Sequence, residues 1–308
     1  MASSADPVFV AGSTGYIGRK LALKLAADGV PVRCLARNPQ QAVDLSGAGC
    51  EVVEGDVLDR ESLRWPLSGV KVAYYLVHSM GRGASGDFAE TDLTAARNFA
   101  EAAAEVGVER IVYLGGLGEG GSRHLQSRHD TASALGSTGV DLTYLRAAVV
   151  IGAGSESFRT IYWLVRRLPA MVTPRWTSTR TQPIGVDDVV EALRKSLDLE
   201  GNDEIQIGGP DVTTYGGMMD AVARAIGRRP PVRLGVPMLT PALSSLWLGL
   251  VTPVDVGVAR PLIEGLSTET VVTDSSGMER LGLRPESLET AMDRAAAEMK
   301  EILSQSPE

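Results

Sequence analysis

Short apolar runs alternate with helically spaced apolar residues along the first half of the chain. The runs that predict strands are Val8–Ala11, Val32–Leu35, Glu51–Glu54, Val72–Val77, Ile111–Leu114 and Leu142–Ile151. Helical spacing is clearest in Arg19–Asp28, which Gly29 ends, and in Thr91–Val106, which Gly107 ends. A fully apolar run such as Val72–Val77 is typical of a parallel strand buried on both faces. The alternation predicts an α/β protein built on a doubly wound parallel sheet.

After Gly152 the pattern is less regular. We expect a helix over Ser155–Leu168, followed by a loop with several prolines over Pro169–Trp176. A strand over Pro183–Val186 is expected to lead into a helix that ends at Leu199 and has Asp187 as its N-cap. A short strand over Ile205–Ile207 and a helix over Tyr215–Ile226 should follow. From Pro230 onward the chain is apolar and rich in proline. We therefore expect a core over residues 5–204 and a smaller, partly irregular region over residues 205–308, packed over one edge of the sheet.

A glycine-rich turn directly follows the first predicted strand. Gly12, Gly15 and Gly18 lie between that strand and the first helical stretch. In this setting the first glycine permits a tight turn, the second lets the backbone approach a pyrophosphate, and the third lets helix and strand pack closely. The N–H groups at the start of the helix then hold the anion. The motif predicts a dinucleotide site, with an ordinary structural turn as the alternative.

The end of the second predicted strand indicates which dinucleotide binds. An acidic residue there hydrogen-bonds the ribose 2′-hydroxyl, whereas an arginine accommodates a 2′-phosphate. Arg37 follows the strand and no acid stands at the critical position, which favours NADP unless Arg37 is merely a solvated surface residue. Asp56, after the third strand, is placed to accept a hydrogen bond from the adenine amine, although a plain turn aspartate would look the same.

Composition excludes several other classes of protein. The chain has 308 residues and a net charge of −8, which argues against nucleic-acid binding. Its two cysteines and three histidines predict neither a disulfide framework nor a metal site. The start lacks the basic-then-apolar order of a signal peptide, and no apolar run reaches the about 18 residues of a membrane span. We expect a soluble, cytoplasmic monomer or homodimer.

Several motifs together resemble the atypical, NmrA-like branch of the short-chain dehydrogenase/reductase superfamily. The matching segments are Gly12–Gly18 as GxxGxxG, Arg37–Pro39, Gly55–Asp56, Asp141–Arg146 and Pro183–Val189. The resemblance implies a Rossmann core, a nicotinamide cofactor and a substrate pocket roofed by the C-terminal region. The expected cofactor contacts are Gly12, Ser13, Thr14, Gly15, Tyr16, Ile17, Arg37, Asn38, Asp56, Val57, Leu76, Val77, Gly115 and Arg128.

The usual catalytic residues of that family are missing. Typical members carry Ser or Thr at the end of the fifth strand and Tyr-x-x-x-Lys on the following helix. Here Gly115 stands at the serine position, His124 replaces the tyrosine and Arg128 replaces the lysine. Tyr16 and Lys20 match the Tyr-x-x-x-Lys spacing but lie within the phosphate loop. The usual serine–tyrosine–lysine chemistry therefore does not carry over to this chain.

Two histidines are candidate proton donors at this site. His124 can donate near neutral pH, and the charge of Arg128, one helical turn away, disfavours its protonated form. His78 and Ser79 follow the fourth strand, where the ligands of open α/β sheets bind, and both are alternative donors. The alternatives are a pocket-lining His124 and a His78 bonded to backbone. His129 is expected to be solvent-exposed.

An apolar pocket is expected beside the nicotinamide. The predicted lining residues are Ser79, Met80, Phe158 and Trp176, and the aromatic ones are alternatively plain core. The apolar stretch Leu239–Val251 lacks the basic face of a membrane-surface helix, so we expect it to cap this pocket.

Three functions fit these expectations. The first is an NADPH-dependent reductase of a small or medium apolar carbonyl, enone or imine, with an active site that lacks Tyr-x-x-x-Lys. The second is a non-catalytic NADP-binding redox sensor of the NmrA kind. The third is an assembly or chaperone-like subunit that keeps the cofactor structurally.

Overall fold

The computed structural model describes residues 6–78, 88–118, 123–173, 175–235 and 267–305. Its centre is a seven-stranded sheet in the order β3-β2-β1-β4-β5-β6-β11, in which every neighbouring pair is parallel. These strands are β1 (Val8–Ala11), β2 (Val32–Ala36), β3 (Glu51–Glu54), β4 (Val72–Tyr75), β5 (Arg110–Gly116), β6 (Asp141–Ala147) and β11 (Asp203–Ile207). The predicted doubly wound parallel sheet is confirmed.

Helices and short outer strands complete the described part of the chain. The helices are α1 (Tyr16–Ala27), α2 (Val43–Gly47), α3 (Glu61–Leu67), α4 (Phe88–Glu105), α5 (Arg123–Leu135), α6 (Glu156–Arg167), α7 (Val186–Lys195), α8 (Tyr215–Ala225), α9 (Ser276–Arg280) and α10 (Leu288–Gln305). The outer strands are β7 (Val150–Ile151), β8 (Ala170–Thr173), β9 (Arg180–Thr181), β10 (Ile184–Gly185), β12 (Thr213–Thr214) and β13 (Val232–Gly235). Within the described residues, no helix is long and apolar enough to cross a membrane.

Both faces of the central sheet are covered, which explains why its inner strands β1 and β4 are fully apolar. In β1, Val8 and Val10 belong to a core shared with α1 and α7, whereas Phe9 and Ala11 belong to a core shared with α3, α4 and α5. Successive residues of a strand point to opposite faces, so each strand contributes to both cores.

The strand order reverses between β1 and β4, and this switch point is where open α/β sheets bind ligands. The loop after β1 meets the segment after β4 there, since the Leu76 N–H donates to the Ala11 carbonyl at 2.9 Å. The topology therefore brings the glycine loop and the expected nicotinamide side of the site together.

The sixth predicted strand, Leu142–Ile151, is in fact two strands. β6 ends at Ala147 and stays in the central sheet, whereas β7 pairs with β10 outside it. The place beside β6 is taken by β11, whose five residues all pair with it in parallel register. The expected division at residues 204–205 falls within β11, and the two-part division stays a prediction.

Three further expectations about the second half are wrong. The supposed loop Pro169–Trp176 contains β8, which pairs in parallel with β13. The N-cap of α7 is Gly185, and Asp187 lies in the first turn, where it accepts a hydrogen bond from Arg294. The same helix ends at Lys195 and continues only as a short 3-10 turn.

The C-terminal region contains more regular structure than its sequence suggested. α10 presents Ala291, Met292, Ala295, Ala296 and Met299 inward, and all but Ala296 join a third core with α6 and α8. The expected helix over Ser155–Leu168 is α6, and the Ser155 side chain caps it by accepting from the N–H of Phe158. The stretch Leu239–Val251 lies outside the described residues.

Candidate cofactor and active site

The glycine loop is held too closely for larger residues at two of its three positions. Gly12 has φ +86°, and a Cβ there would lie 2.5 Å from the carbonyl oxygen of Leu76. A Cβ on Gly18 would lie 2.2 Å from the carbonyl oxygen of Gly12. Gly12 thus makes the turn against the segment after β4, and Gly18 lets α1 pack onto the loop.

The remaining space fits a pyrophosphate. A Cβ on Gly15 would meet only the Gly12 carbonyl oxygen, at 3.2 Å, so the open side of the loop is kept free by the missing side chain. Gly15 is also the N-cap of α1, which has no side-chain cap and no acid in its first turn. The partial positive charge of this helix start favours an anion.

The other predicted contacts in the glycine loop differ in how far their side chains are buried. The Ser13 hydroxyl is fully buried and donates to the carbonyl of Leu35 at 2.8 Å, so this residue faces a ligand only through its backbone. Thr14 and Ile17 are half-buried next to it. The Ser13 bond ties the glycine loop to the end of β2, where the adenosine part of a dinucleotide would lie.

Arg37 follows β2 directly and is exposed. Within the described part of the chain, its guanidinium has no hydrogen bond or ion pair. Asn38 caps the next turn by accepting from the N–H of Gln40 at 3.0 Å. No acidic residue directly follows β2 in the sequence, so a 2′-phosphate would meet a cation with free donors.

The end of β3 leaves one carboxylate oxygen available. Asp56 Oδ1 accepts from the N–H of Leu58 at 3.0 Å, and the Asp56 N–H donates to Ser62. Val57 is buried beside it. Asp56 therefore has a structural role in its turn while its Oδ2 accepts no hydrogen bond from the described residues.

His78 lies after β4, beyond the half-buried Leu76 and Val77. Its Nδ1 is 3.6 Å from Oδ2 of Asp92 on α4. Burial and the nearby Arg128 guanidinium lower the pKa of His78 to about 4, although the Asp92 carboxylate acts in the opposite direction and raises it. His78 is thus neutral at pH 7. Ser79 and Met80 lie outside the described residues.

The α5 residues lie above the end of β5. The Arg128 guanidinium donates to the Tyr113 hydroxyl at 3.4 Å and is close enough to His78 to affect its charge. His124 is the second residue of α5, one turn before Arg128, and the structure describes its backbone only. The fold thus brings Arg128 and His78 to one edge, on neighbouring strands and helices.

A tyrosine that the sequence analysis did not identify lies at the serine position. A Cβ on Gly115 would lie 2.6 Å from Cε2 and 2.8 Å from the hydroxyl oxygen of Tyr144. The same hydroxyl is 3.3 Å from Nδ1 of His129, whose Nε2 is 3.2 Å from the Gly118 carbonyl oxygen. The expected exposure of His129 is therefore wrong, since both of its nitrogens have partners.

Tyr16 and Lys20 do not form a second catalytic pair. The Tyr16 hydroxyl donates to Oε2 of Glu298 on α10 at 3.0 Å, and Lys20 lies 3.8 Å from the same carboxylate. Burial and the Glu298 charge raise the pKa of Tyr16 above its usual value. Tyr16 and Lys20 therefore connect α1 to α10 through Glu298.

The predicted aromatic pocket residues lie in the third core. Phe158 is fully buried with its ring 6.0 Å from that of Tyr162. Trp176 is partly buried and packs edge-on against Tyr215, at 6.0 Å between ring centroids. Their part in a substrate pocket stays a prediction.

Comparison with known proteins agrees with this geometry. Residues 12–157 match the model of the NAD(P)H-binding family. The (4-alkanoyl-5-oxo-2,5-dihydrofuran-3-yl)methyl phosphate reductase of Streptomyces griseus subsp. griseus is 28% identical over 78% of this chain and 81% of its own length. The photosystem II assembly factor of Cyanophora paradoxa is 29% identical over 35% of this chain and 33% of its own length. A ketoreductase of a farnesylated quinoline oxide from Stigmatella aurantiaca is 27% identical over 34% of this chain. The chain spans about a third of the length of these last two relatives (33% and 32%).

Solved structures share the fold across nearly the whole chain. The triphenylmethane reductase of Citrobacter sp. complexed with NADP(H) has a TM-score of 0.75 and 20% identity, over 94% of this chain and 99% of its own. The NADPH-dependent quinone oxidoreductase of Escherichia coli complexed with NADPH has a TM-score of 0.74 and 19% identity, over 92% of this chain and 98% of its own. The strand order and the glycine loop agree with the match of residues 12–157 to the NAD(P)H-binding family, and the solved structures show that the fold is Rossmann-like.

Proposed function

We propose that the protein is an NADPH-dependent reductase that transfers hydride to a small or medium apolar carbonyl, enone or imine. The supporting observation is the contact at the switch point, where Gly12 of the cofactor loop touches Leu76. Two residues further on, His78 begins the polar group that includes Arg128 and Tyr113. A dinucleotide held by the loop would extend along this edge of the sheet, so its reactive end would lie beside these side chains.

The choice of NADPH rests on Arg37. Its exposed guanidinium follows β2 and has no partner among the described residues. Arginine can bind two oxygens of a 2′-phosphate at once and can stack on adenine. The side chain of the adjacent Asn38 caps the next turn, so Arg37 is the residue that distinguishes NADPH from NADH.

Each polar residue at the edge has a separate task in this proposal. A bound reduced nicotinamide would supply the hydride. Arg128 keeps a fixed positive charge near the cofactor ribose, as lysine does in the family. A donor must then give a proton to the oxygen or nitrogen of the acceptor as negative charge develops there. His124 and His78 are the donors that the sequence suggests, and His78 would act as a neutral imidazole.

The first experiment compares cofactors. NADPH and NADH affinities are measured by fluorescence titration in the parent protein and in Arg37→Ala. A charged hydrogen bond to phosphate is worth about 1.5–3 kcal/mol, or about tenfold to a hundredfold in affinity. The parent should prefer NADPH by about this factor, and Arg37→Ala should lose the preference while its NADH affinity, the internal control, stays unchanged. Equal NADPH and NADH affinities in the parent would contradict the assignment.

The second experiment tests for catalysis. NADPH oxidation is followed by the loss of the absorbance of reduced nicotinamide with a panel of enones, ketones, quinones and imines. Oxidation that depends on one of these acceptors supports the reductase. NADPH binding without any acceptor-dependent oxidation would instead support a redox sensor. An assembly subunit, a class represented by the Cyanophora paradoxa relative, would bind NADPH, oxidise none and associate with other proteins.

A further inference from the structure

The hydroxyl of Tyr144 occupies the space that the family's serine would fill. Gly115 is the penultimate residue of β5, and a side chain there would collide with the Tyr144 ring at 2.6 Å. Glycine at this position lets the phenol from the neighbouring strand reach the end of β5. A hydroxyl is thus restored to the catalytic edge of the sheet, although it comes from β6.

His129 orients this hydroxyl. A carbonyl oxygen can only accept, so the 3.2 Å contact with Gly118 places the ring proton on Nε2. In the neutral ring Nδ1 is then an acceptor, and it receives the Tyr144 hydroxyl at 3.3 Å. The two contacts define one tautomer and one direction for the Tyr144 proton at rest.

The surrounding groups hold the pair in place. The Tyr144 ring stacks on Tyr113, with 5.3 Å between centroids and 22° between planes, and meets His129 edge-on at 84°. Arg146 also donates to the Gly118 carbonyl at 2.9 Å, which fixes the acceptor of His129. The phenol oxygen is therefore fixed in position, and only its O–H bond has to rotate to reach an acceptor.

We propose that Tyr144 donates the proton in the reduction and that His129 positions its hydroxyl. This inference rests on the proposed reductase function. The hydride, released from the C–H bond of a bound reduced nicotinamide that would thereby become oxidised, forms a C–H bond at the acceptor carbon, and the π-electron pair of the C=O bond moves to oxygen. The Tyr144 O–H, turned from Nδ1 toward that oxygen, breaks to form the new O–H bond. The phenolate left on Tyr144 then takes a proton from water.

The geometry favours Tyr144 over His78. Its hydroxyl lies against β5 itself, where the family places the hydroxyl that touches the reacting oxygen. His78 is 3.6 Å from Asp92, and the neighbouring Arg128 adds to the cost of a charge on its ring. In this arrangement His78 and Arg128 line the edge while Tyr144 supplies the proton.

The test compares two matched buried tyrosines. Tyr144→Phe keeps the stacked ring and removes only the hydroxyl. Tyr74→Phe is the control, because Tyr74 is buried on the opposite face and donates to the Leu193 carbonyl at 2.8 Å. Tyr144→Phe should lower kcat by about 10²–10⁴-fold, the usual range for a positioned acid, whereas Tyr74→Phe should keep the parental kcat. NADPH affinity should stay within about twofold in both variants, because neither hydroxyl holds phosphate.

A binding measurement gives a readout that does not depend on turnover. With oxidised NADP in place, a carbonyl ligand from the panel should bind Tyr144→Phe about 2- to 10-fold more weakly than the parent, since one neutral hydrogen bond is lost. His129→Phe should also lower kcat, and His129→Gln should recover most of it. The glutamine amide can accept from Tyr144 and donate to Gly118, so this recovery separates positioning from simple packing.

The outcomes separate this inference from the proposed function. If the parent reduces an acceptor and Tyr144→Phe does so within threefold of it, Tyr144 is not the donor and the reductase stands. If both tyrosine variants lose kcat equally, the effect comes from packing and the inference is overturned. If the parent neither reduces nor binds any acceptor, the reductase fails and this inference fails with it.

Discussion

Replacing His78 by asparagine should remove a large part of the acid sensitivity of the fold. The pKa of His78 falls from its usual 6.5 to about 4 because the ring is buried and Arg128 is nearby. A lowered pKa in the folded state means that the unfolded chain binds the proton more readily. The stabilisation is therefore complete above pH 6.5 and is lost as the pH falls through about 4.

The magnitude follows from the two pKa values. One unit of pKa is worth about 1.4 kcal/mol, so the difference between 6.5 and about 4 corresponds to about 3 kcal/mol. The His78 side chain is 26% exposed, so solvent screening removes only part of this energy. We expect the parent to lose about 2–3 kcal/mol more than His78→Asn between neutral pH and pH 4.

Urea unfolding of both proteins at several pH values measures this difference. The change in the free energy of unfolding with pH is determined for each protein, and one change is subtracted from the other. The carboxylates that titrate in the same range are present in both proteins, so their contributions to the difference cancel. Histidine NMR on the parent gives the pKa of His78 directly. Parallel pH profiles for the two proteins, or a measured pKa above 6, would refute the reasoning and restore His78 as a donor that can carry charge near neutral pH.

Two other substitutions test the loop and the C-terminal packing. Gly18→Ala should destabilise the protein by at least about 1–3 kcal/mol in urea, because its Cβ would press on the Gly12 carbonyl. Gly29→Ala, strained but in open space, should cost only about 1 kcal/mol, and equal losses would contradict the packing role of Gly18. Burial raises the pKa of Asp188 from 3.8 to about 6, so the folded protein binds this proton more tightly than the unfolded chain. The resulting stabilisation is complete below pH 3.8 and is lost as the pH rises through about 6. Calorimetry should therefore find that Asp188→Asn raises Tm relative to the parent more at pH 7.5 than at pH 4.5, and an unchanged difference would argue against this shift.

The first half of the fold could be predicted because its signals are local. β1 to β5 each contain a short apolar stretch bounded by turns, because each strand contributes side chains to a buried core. Beyond Ile151 apolar runs no longer predict which strands belong to the central sheet. Val150–Ile151 continues an apolar run, yet it leaves the sheet because β11, over 50 residues later, pairs with β6 in its place. Partner choice between distant strands is decided by packing and cannot be read from one segment.

Parts of the candidate site could likewise be predicted from the sequence, and other parts could not. The cofactor loop is a strand, a turn and a helix start that are contiguous in sequence, and glycine spacing alone specifies their close approach, as Gly12 and Gly18 illustrate. The pairing of Tyr144 with Gly115 depends instead on the register of β6 against β5, and its contact with His129 depends on where α5 packs. Tyr16 meets Glu298 across 282 residues of sequence. The sequence by itself therefore determined the cofactor loop and the strands β1 to β5, whereas only the tertiary structure decided which side chains meet at the ends of β4, β5 and β6, because strand register and helix docking set those distances.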